Sequence, residues 1–180
     1  MKLRSLLARP EWLQEKGETS MDAQMLKGQV AIITGASYGM GQAMAELFAE
    51  EGAALVLTAR GKEKLDAVVE GIRAKGGRAV GVVADVTSQE DTKTVFETAL
   101  REFGTVDILI NNAGLGEQKM IDETDDDWVH QVTDINLVGP MRYIREALNI
   151  IMPKNEGVII NISSVNGTRP FCGAAYTATK

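Results

Sequence analysis

One segment, residues 30–41, joins a short apolar run to a glycine-rich turn: Val30-Ala31-Ile32-Ile33-Thr34-Gly35-Ala36-Ser37-Tyr38-Gly39-Met40-Gly41. A continuous apolar run of this length is typical of a strand buried on both faces of a parallel sheet. The glycines allow a tight turn and let backbone N–H groups come close to a ligand. Apolar residues at helical spacing follow from Gln42, so the turn leads into a helix N-terminus, which attracts a pyrophosphate. The segment therefore predicts a strand, a phosphate-binding turn and a helix.

The rest of the sequence continues this alternation of strands and helices. Apolar runs predict further strands at 54–57, 79–84, 106–110 and 157–162, and apolar spacing predicts helices at 42–51, 65–74, 89–103 and 125–152. Ser88 is expected to cap the helix that runs to Phe103. Such alternation predicts an α/β fold in which a parallel sheet carries helices on both faces.

The composition is that of an ordinary globular chain. The 180 residues contain 19 lysines and arginines against 25 acidic residues, a net charge of −6. This balance argues against nucleic acid as a partner, because a nucleic-acid binder needs a concentrated basic surface. No apolar stretch has the roughly 18 residues of a transmembrane helix, so no membrane association is expected. The single cysteine, Cys172, forms no internal disulfide, which favours the reducing cytoplasm.

The first 24 residues differ from the remainder. Basic residues surround an apolar run, residues 6–8, that is too short for a secretory signal. We expect residues 1–24 to be a disordered N-terminal extension, and residues 25–180 to form one dinucleotide-binding domain.

Three motifs give the sequence a family resemblance. They are the turn Gly35-x-x-x-Gly39-x-Gly41, the segment Asn111-Asn112-Ala113-Gly114 after the fourth strand, and Tyr176-x-x-x-Lys180. In this order, over about residues 28–180, the chain closely resembles the short-chain dehydrogenase/reductase family. The resemblance implies a Rossmann-type doubly wound sheet that binds a nicotinamide dinucleotide at the carboxyl ends of its strands. It also implies an oxidoreductase that transfers hydride between this cofactor and a small-molecule carbonyl or secondary alcohol.

The cofactor-binding residues follow from the motifs and from the resemblance. They are Gly35, Ser37, Tyr38, Gly39, Met40, Gly41, Arg60, Asp85, Val86, Asn112, Ala113, Gly114, Tyr176 and Lys180. Arg60 lies 19 residues past Gly41, where a carboxylate would bind the ribose hydroxyls of NAD. A guanidinium there can instead bind a 2′-phosphate, which favours NADP(H) over NAD(H). Many NADP-preferring relatives carry a second basic residue in the glycine turn, where this sequence has Tyr38, so NAD(H) stays open.

The catalytic residues are expected at the C-terminal end. Tyr176 and Lys180 are four residues apart and share a helix face. A neighbouring ammonium stabilises a phenolate, which suits a tyrosine for proton transfer. The resemblance implies that Tyr176 is the general acid/base, that Lys180 assists it, and that Asn136 supports a water relay. Ser164 is expected to polarise the substrate oxygen.

Two adjacent serines, Ser163 and Ser164, are candidates for this role. The interval from Ser164 to Tyr176 is 12 residues, one shorter than the usual family interval. Ser163 has that interval but would point to the other face of a continuing strand. We therefore favour Ser164, with a shortened loop between residues 167 and 173.

Other polar residues have simpler interpretations. The acidic cluster at residues 122–127 suits the start of a helix better than a metal site, and no metal is expected. His130 is expected to have a surface or packing role on a helix and not a catalytic one. Cys172 is expected in a substrate loop, without a base to activate it.

The sequence ends at the expected catalytic lysine, where family members continue. We therefore expect the C-terminal part of the domain to be missing after the fifth strand and the start of the catalytic helix, which would leave an apolar sheet edge. The resemblance also implies a homodimer or homotetramer. The alternative function is a non-catalytic dinucleotide-binding or interaction protein on the same fold.

Overall fold

The computed structural model describes residues 24–116, 121–169 and 173–180. In them, five parallel strands form one sheet in the order β3-β2-β1-β4-β5. The strands are β1 (Val30–Thr34), β2 (Ala54–Ala59), β3 (Arg78–Val83), β4 (Ile108–Asn111) and β5 (Val158–Asn161). The α-helices are α1 (Gly39–Glu50), α2 (Lys62–Ala74), α3 (Gln89–Phe103), α4 (Asp126–Thr133), α5 (Gly139–Lys154) and α6 (Ala174–Ala178). The predicted α/β class with a Rossmann-type parallel sheet is confirmed.

Successive residues of the central strands enter two different cores. Ile33 of β1 packs on the side of α1 and α2, whereas Ile32 packs on the side of α3 and α5. On the second side, the rings of Phe96 and Tyr143 lie 5.8 Å apart between centroids. Both residue positions of a strand are therefore apolar, because helices cover both faces of the sheet.

The strand order places a crevice at the carboxyl ends of the central strands. β1 pairs with β2 on one side and with β4 on the other. The chain thus runs outwards in opposite directions from β1, and loops that leave the carboxyl ends of β1 and β4 diverge. This divergence is where open α/β sheets bind their ligands.

The predicted elements agree with the structure except at their ends. The helix predicted at 89–103 is confirmed: the Ser88 side chain accepts a hydrogen bond from the Asp91 N–H at 3.1 Å, and Gly104 ends the helix at φ 82°. The helix predicted at 65–74 begins earlier, at Lys62. The prediction missed its first turn because that turn is polar and shows no apolar spacing. The fifth strand ends at Asn161, and not at 162 as predicted.

The long helix predicted at 125–152 is divided in three. A π-helical segment, Asp134–Val138, lies between α4 and α5. Pro140 follows it and has no N–H to donate to the carbonyl of Asn136, the partner that an α-helix would require. The segment therefore widens where the helix cannot continue its regular hydrogen bonding, and such widened turns are frequent at functional sites.

Two further expectations concern the chain ends and membranes. The predicted N-terminal extension lies, apart from Gln24, outside the described residues. Within the residues described, no helix combines the length and the apolar character that crossing a bilayer requires.

Candidate active site

A cleft of about 730 Å³ opens at the carboxyl ends of β1, β2, β3 and β4. Every predicted cofactor-binding residue except Tyr176 and Lys180 lines it: Gly35, Ser37, Tyr38, Gly39, Met40, Gly41, Arg60, Asp85, Val86, Asn112, Ala113 and Gly114. The volume lies in the range of sites that enclose small ligands. Residues from four separate loops are thus brought to one cleft by the parallel sheet.

The glycines of the turn have different structural reasons. A Cβ on Gly41 would lie 2.2 Å from the Gly35 carbonyl oxygen, and a Cβ on Gly35 would lie 2.9 Å from the Cα of Ala113. These two positions therefore need glycine for close packing of the chain against itself. Gly39 has φ +60° and open space where its Cβ would be. Its missing side chain leaves room in the cleft for a ligand.

Thr34 and Asn112 hold the turn against the loop after β4. The Thr34 hydroxyl accepts hydrogen bonds from the N–H groups of Asn112 (3.0 Å) and Ala113 (2.9 Å). In return, the Asn112 side-chain amide donates to the carbonyls of Thr34 (2.9 Å) and Gly35 (3.1 Å). Because these bonds join β1 to β4 across the crevice, the floor of the cleft is fixed before any ligand binds.

The start of α1 faces this cleft without a cap. Tyr38, the N-cap residue, makes no side-chain cap hydrogen bond, and the first turn contains no acidic residue. The first N–H groups of a helix lack partners within the helix and carry partial positive charge. Together with the open space at Gly39, they can receive the oxygens of a phosphate group.

Positive side chains line the outer rim. Arg60 lies just after β2, and Lys62 and Lys64 lie in the first turn of α2 beside Glu63. Lys62 donates a hydrogen bond to Asp66, which raises the pKa of the lysine. Among the described residues, no carboxylate forms an ion pair with Arg60 or Lys64. The rim therefore carries two cations that are available to an anion.

Asp85 and Val86 lie at the end of β3. The Asp85 carboxylate accepts hydrogen bonds from the N–H (2.9 Å) and the hydroxyl (2.8 Å) of Thr87, both at one oxygen. Its backbone N–H donates to Asp91 at 2.8 Å. This turn fixes the carboxylate at the cleft wall, and its second oxygen accepts no hydrogen bond from the residues that the structure describes.

Asn136 lies in the π-helical segment and is buried. Its side-chain oxygen accepts a hydrogen bond from the Leu115 N–H, and its amide nitrogen donates to the Leu115 carbonyl, both at 2.8 Å. The same nitrogen donates to the Thr179 hydroxyl at 3.0 Å. Asn136 therefore connects the loop after β4 to the C-terminal helix.

Tyr176 and Lys180 lie beside the loop after β4, next to Gly116 and Gly114. The Lys180 ammonium lies 5.9 Å from the centroid of the Tyr176 ring and donates to the Ile162 carbonyl at 2.9 Å. Burial lowers the pKa of Lys180, because a charged ammonium loses water there. A Cβ on Gly114, a cleft residue, would lie 3.3 Å from this ammonium. The predicted lysine and tyrosine thus lie beside each other and beside the cleft.

The two candidate serines have different partners. The Ser164 hydroxyl accepts from the Asn166 N–H at 3.2 Å, at the start of a short 3-10 helix, whereas the Ser163 hydroxyl donates to the Lys180 carbonyl at 2.8 Å. Ser163 was expected to point to the other face of a continuing strand. That expectation is wrong about the strand, since β5 ends at Asn161. Cys172 lies outside the described residues.

Comparison with known sequences identifies the family. The sequence model described as short chain dehydrogenase matches residues 29–180. The chain belongs to the short-chain dehydrogenase/reductase family. The match includes the glycine turn, the loop after β4 and the Tyr176–Lys180 pair.

The relatives of this chain carry varied names. An uncharacterized oxidoreductase of Listeria innocua is 42% identical over 156 residues, which are 86% of this chain and 63% of the relative. Glucose 1-dehydrogenase 2 of Bacillus subtilis is 39% identical over 149 residues (81% and 57%). A 3beta-hydroxysteroid dehydrogenase of Mediterraneibacter gnavus is 36% identical over 154 residues (84% and 55%). The chain spans about 60% of the length of these curated relatives.

Three residues in or beneath the cleft were not predicted from the sequence. Thr34 joins the two central loops, and Lys62 and Lys64 add charge to the rim. Two of them had a signal in the sequence. Lysines in the first turn of a helix oppose the helix dipole, so Lys62 and Lys64 invite a search for a compensating anion.

Proposed function

We propose that this protein is an NADP(H)-favouring oxidoreductase that interconverts a carbonyl compound and a secondary alcohol, with Tyr176 as general acid/base. One observation carries the proposal: Tyr176, Lys180 and Asn136 lie next to Gly114 and Gly116 beside a cleft that also has an uncapped helix N-terminus and two cations, Arg60 and Lys64, without an ion-pair partner among the described residues. An acid/base group beside the cleft and anion-binding groups that line it match a dinucleotide with its reacting ring near the tyrosine.

The residues of the cleft fit a nicotinamide dinucleotide. The open space at Gly39 and the uncapped start of α1 suit the pyrophosphate. The second carboxylate oxygen of Asp85 can accept a hydrogen bond from the adenine amino group, and Val86 lines the wall beside it. The cofactor supplies or accepts the hydride when it is bound.

The protein's own groups then handle the proton and the substrate oxygen. In the reduction, the Tyr176 hydroxyl gives its proton to the carbonyl oxygen as that oxygen gains negative charge. The Lys180 ammonium stabilises the phenolate that remains, and the Ser164 hydroxyl donates a hydrogen bond to the same oxygen. Asn136 holds the loop after β4 next to the C-terminal helix through its hydrogen bonds with Leu115 and Thr179. The oxidation uses the same groups in reverse.

The proposed substrate is a small carbonyl compound or alcohol. The printed names of two relatives refer to a steroid and to glucose, which differ in size and polarity. The test is therefore a panel of ketones assayed with NADPH and with NADH in separate samples, and of sugars and hydroxysteroids assayed with NADP⁺ and with NAD⁺, with cofactor fluorescence recorded in each sample. Carbonyl-dependent oxidation of NADPH supports the proposal, whereas binding of NADPH without turnover on the full panel supports a non-catalytic dinucleotide-binding protein.

Replacing Arg60 with aspartate is expected to reverse the cofactor preference. The loss of a charge-assisted hydrogen bond should weaken NADPH binding by about 10- to 100-fold, and a carboxylate at this position should strengthen NADH binding through the ribose hydroxyls. Titration of the fluorescence of both cofactors measures the change. The control is Arg101→Asp on α3, which makes the same charge change at an exposed position that does not line the cleft. An unchanged preference in Arg60→Asp removes Arg60 from the cofactor site.

We also propose that the protein is a cytoplasmic homo-oligomer. The lone cysteine suits a reducing compartment. Apolar side chains on α5 are exposed, at 58% for Met141 and 69% for Met152, as is typical of an interface between subunits. Light scattering is expected to give a mass two or four times the 19.4 kDa of the chain, and a monomeric mass at micromolar concentration would contradict the oligomer.

A further inference from the structure

Tyr38 and Lys64 form a pair at the outer rim of the cleft. The Lys64 ammonium lies 5.8 Å from the centroid of the Tyr38 ring, although one residue belongs to the glycine turn and the other to α2. The Tyr38 side chain is 69% exposed, so its ring is accessible to a ligand at the cleft mouth. Both residues line the cleft, as does Arg60.

The position of Lys64 is electrostatically unfavourable for the helix that carries it. The first turn of α2 has the positive end of the helix dipole, where lysine is disfavoured and acidic residues are preferred. Lys62 is compensated by Asp66, four residues later, but the residue four positions after Lys64 is Val68. Glu63 lies in the same turn, yet it forms no ion pair with Lys64 in the described part of the chain. Lys64 therefore brings a cation to the rim without a carboxylate to neutralise it.

The Tyr38 ring determines where this cation lies. A lysine side chain is long and mobile, and its ammonium would otherwise spread over a wide volume of solvent. Attraction between the ammonium and the ring face keeps the charge near the cleft mouth. Tyr38 thus holds the ammonium of Lys64, a residue of the neighbouring helix, beside the glycine turn.

We infer that Lys64, positioned by Tyr38, acts with Arg60 as the second cation that binds the 2′-phosphate of NADP(H). This inference rests on the NADP(H) part of the proposed function and adds a specificity-determining residue to it. Two cations from separate elements can contact different oxygens of one phosphate, whereas the 2′-hydroxyl of NAD(H) offers neither a negative charge nor a second acceptor. Tyr38 and Lys64 together also place a basic side chain beside the glycine turn, which contains no lysine or arginine of its own.

The test uses fragments of the cofactor, so that it does not depend on catalysis. Calorimetry of the full chain with 2′,5′-ADP and with 5′-ADP measures the contribution of the 2′-phosphate. In Lys64→Gln, affinity for 2′,5′-ADP is expected to fall about tenfold, while affinity for 5′-ADP stays the same. The control Lys75→Gln removes a lysine from the other end of α2, where it lies 3.7 Å from Glu50, and is expected to change neither affinity. Higher salt should reduce the difference between the two fragments in the parent chain.

Variants of Tyr38 test whether it positions the lysine. Tyr38→Phe keeps an aromatic face and is expected to keep most of the discrimination, whereas Tyr38→Leu loses the face and should approach the Lys64→Gln value. Equal discrimination in the parent and in Lys64→Gln overturns the inference, as does a larger loss in Lys62→Gln than in Lys64→Gln. If the parent chain does not distinguish the two fragments, the inference also fails. The proposed catalysis is judged separately, since it depends on carbonyl turnover and not on fragment binding.

Discussion

Replacing Tyr176 with phenylalanine is expected to lower kcat for carbonyl reduction by about 100- to 10,000-fold, the usual contribution of a positioned general acid. The change removes one hydroxyl group and keeps the ring that packs against Gly116, where a Cβ would lie 3.4 Å from the ring edge. Affinity for NADPH is therefore expected to stay within about twofold, because the outer cleft is untouched. Single-turnover reduction after fluorescence-monitored cofactor binding measures both quantities.

Tyr143→Phe is the matched control for this experiment. Tyr143 is fully buried between α5 and α3, and burial raises its pKa to about 12. Its hydroxyl lies in the core and does not line the cleft, so its removal is expected to leave the rate unchanged. If Tyr176→Phe reduces carbonyls as fast as this control does, Tyr176 is not the general acid.

The elements that the sequence predicted well are those that local chemistry specifies. The helix over 89–103 begins at the Ser88 cap and ends at Gly104 with a positive φ, and both signals are contained in a few adjacent residues. The central strands were equally clear, because helices on both faces require continuous apolar runs. The motifs of the glycine turn, of the loop after β4 and of the Tyr176–Lys180 pair were also visible, since each is contiguous in the chain.

The features that the sequence did not predict depend on contacts between distant segments. The π-helical segment at 134–138 preserves apolar spacing on both sides, so the pattern resembled one long helix. The approach of Lys64 to Tyr38 follows from how α2 packs beside the glycine turn, which no local rule specifies. The roles of Ser163 and Ser164 depended on where β5 ends, and apolar character continued to Ile162 beyond the last strand residue. Long-range packing therefore determined the details of the cleft.

The glycine turn offers a sharp test of packing against local propensity. Gly41 lies inside α1, and alanine is favoured over glycine in a helix by about 1 kcal/mol. A Cβ on this residue, however, would lie 2.2 Å from the Gly35 carbonyl oxygen and 2.6 Å from the side-chain nitrogen of Asn112. The first contact is with backbone, which cannot rotate away, and the second would disturb the bonds that join β1 to β4. Gly41→Ala is therefore expected to lower the free energy of unfolding by about 2–3 kcal/mol, the cost of overpacking a core.

Gly71→Ala is the control, since the same substitution in α2 places a Cβ in open space at a helical φ. It is expected to raise the free energy of unfolding by about 0.5–1 kcal/mol. Urea unfolding followed by circular dichroism should therefore give changes of opposite sign for the two variants. If helix propensity governed both positions, both would become more stable. Destabilisation confined to Gly41→Ala identifies the close approach of α1 to Gly35 and Asn112 as the reason that this helix contains glycine.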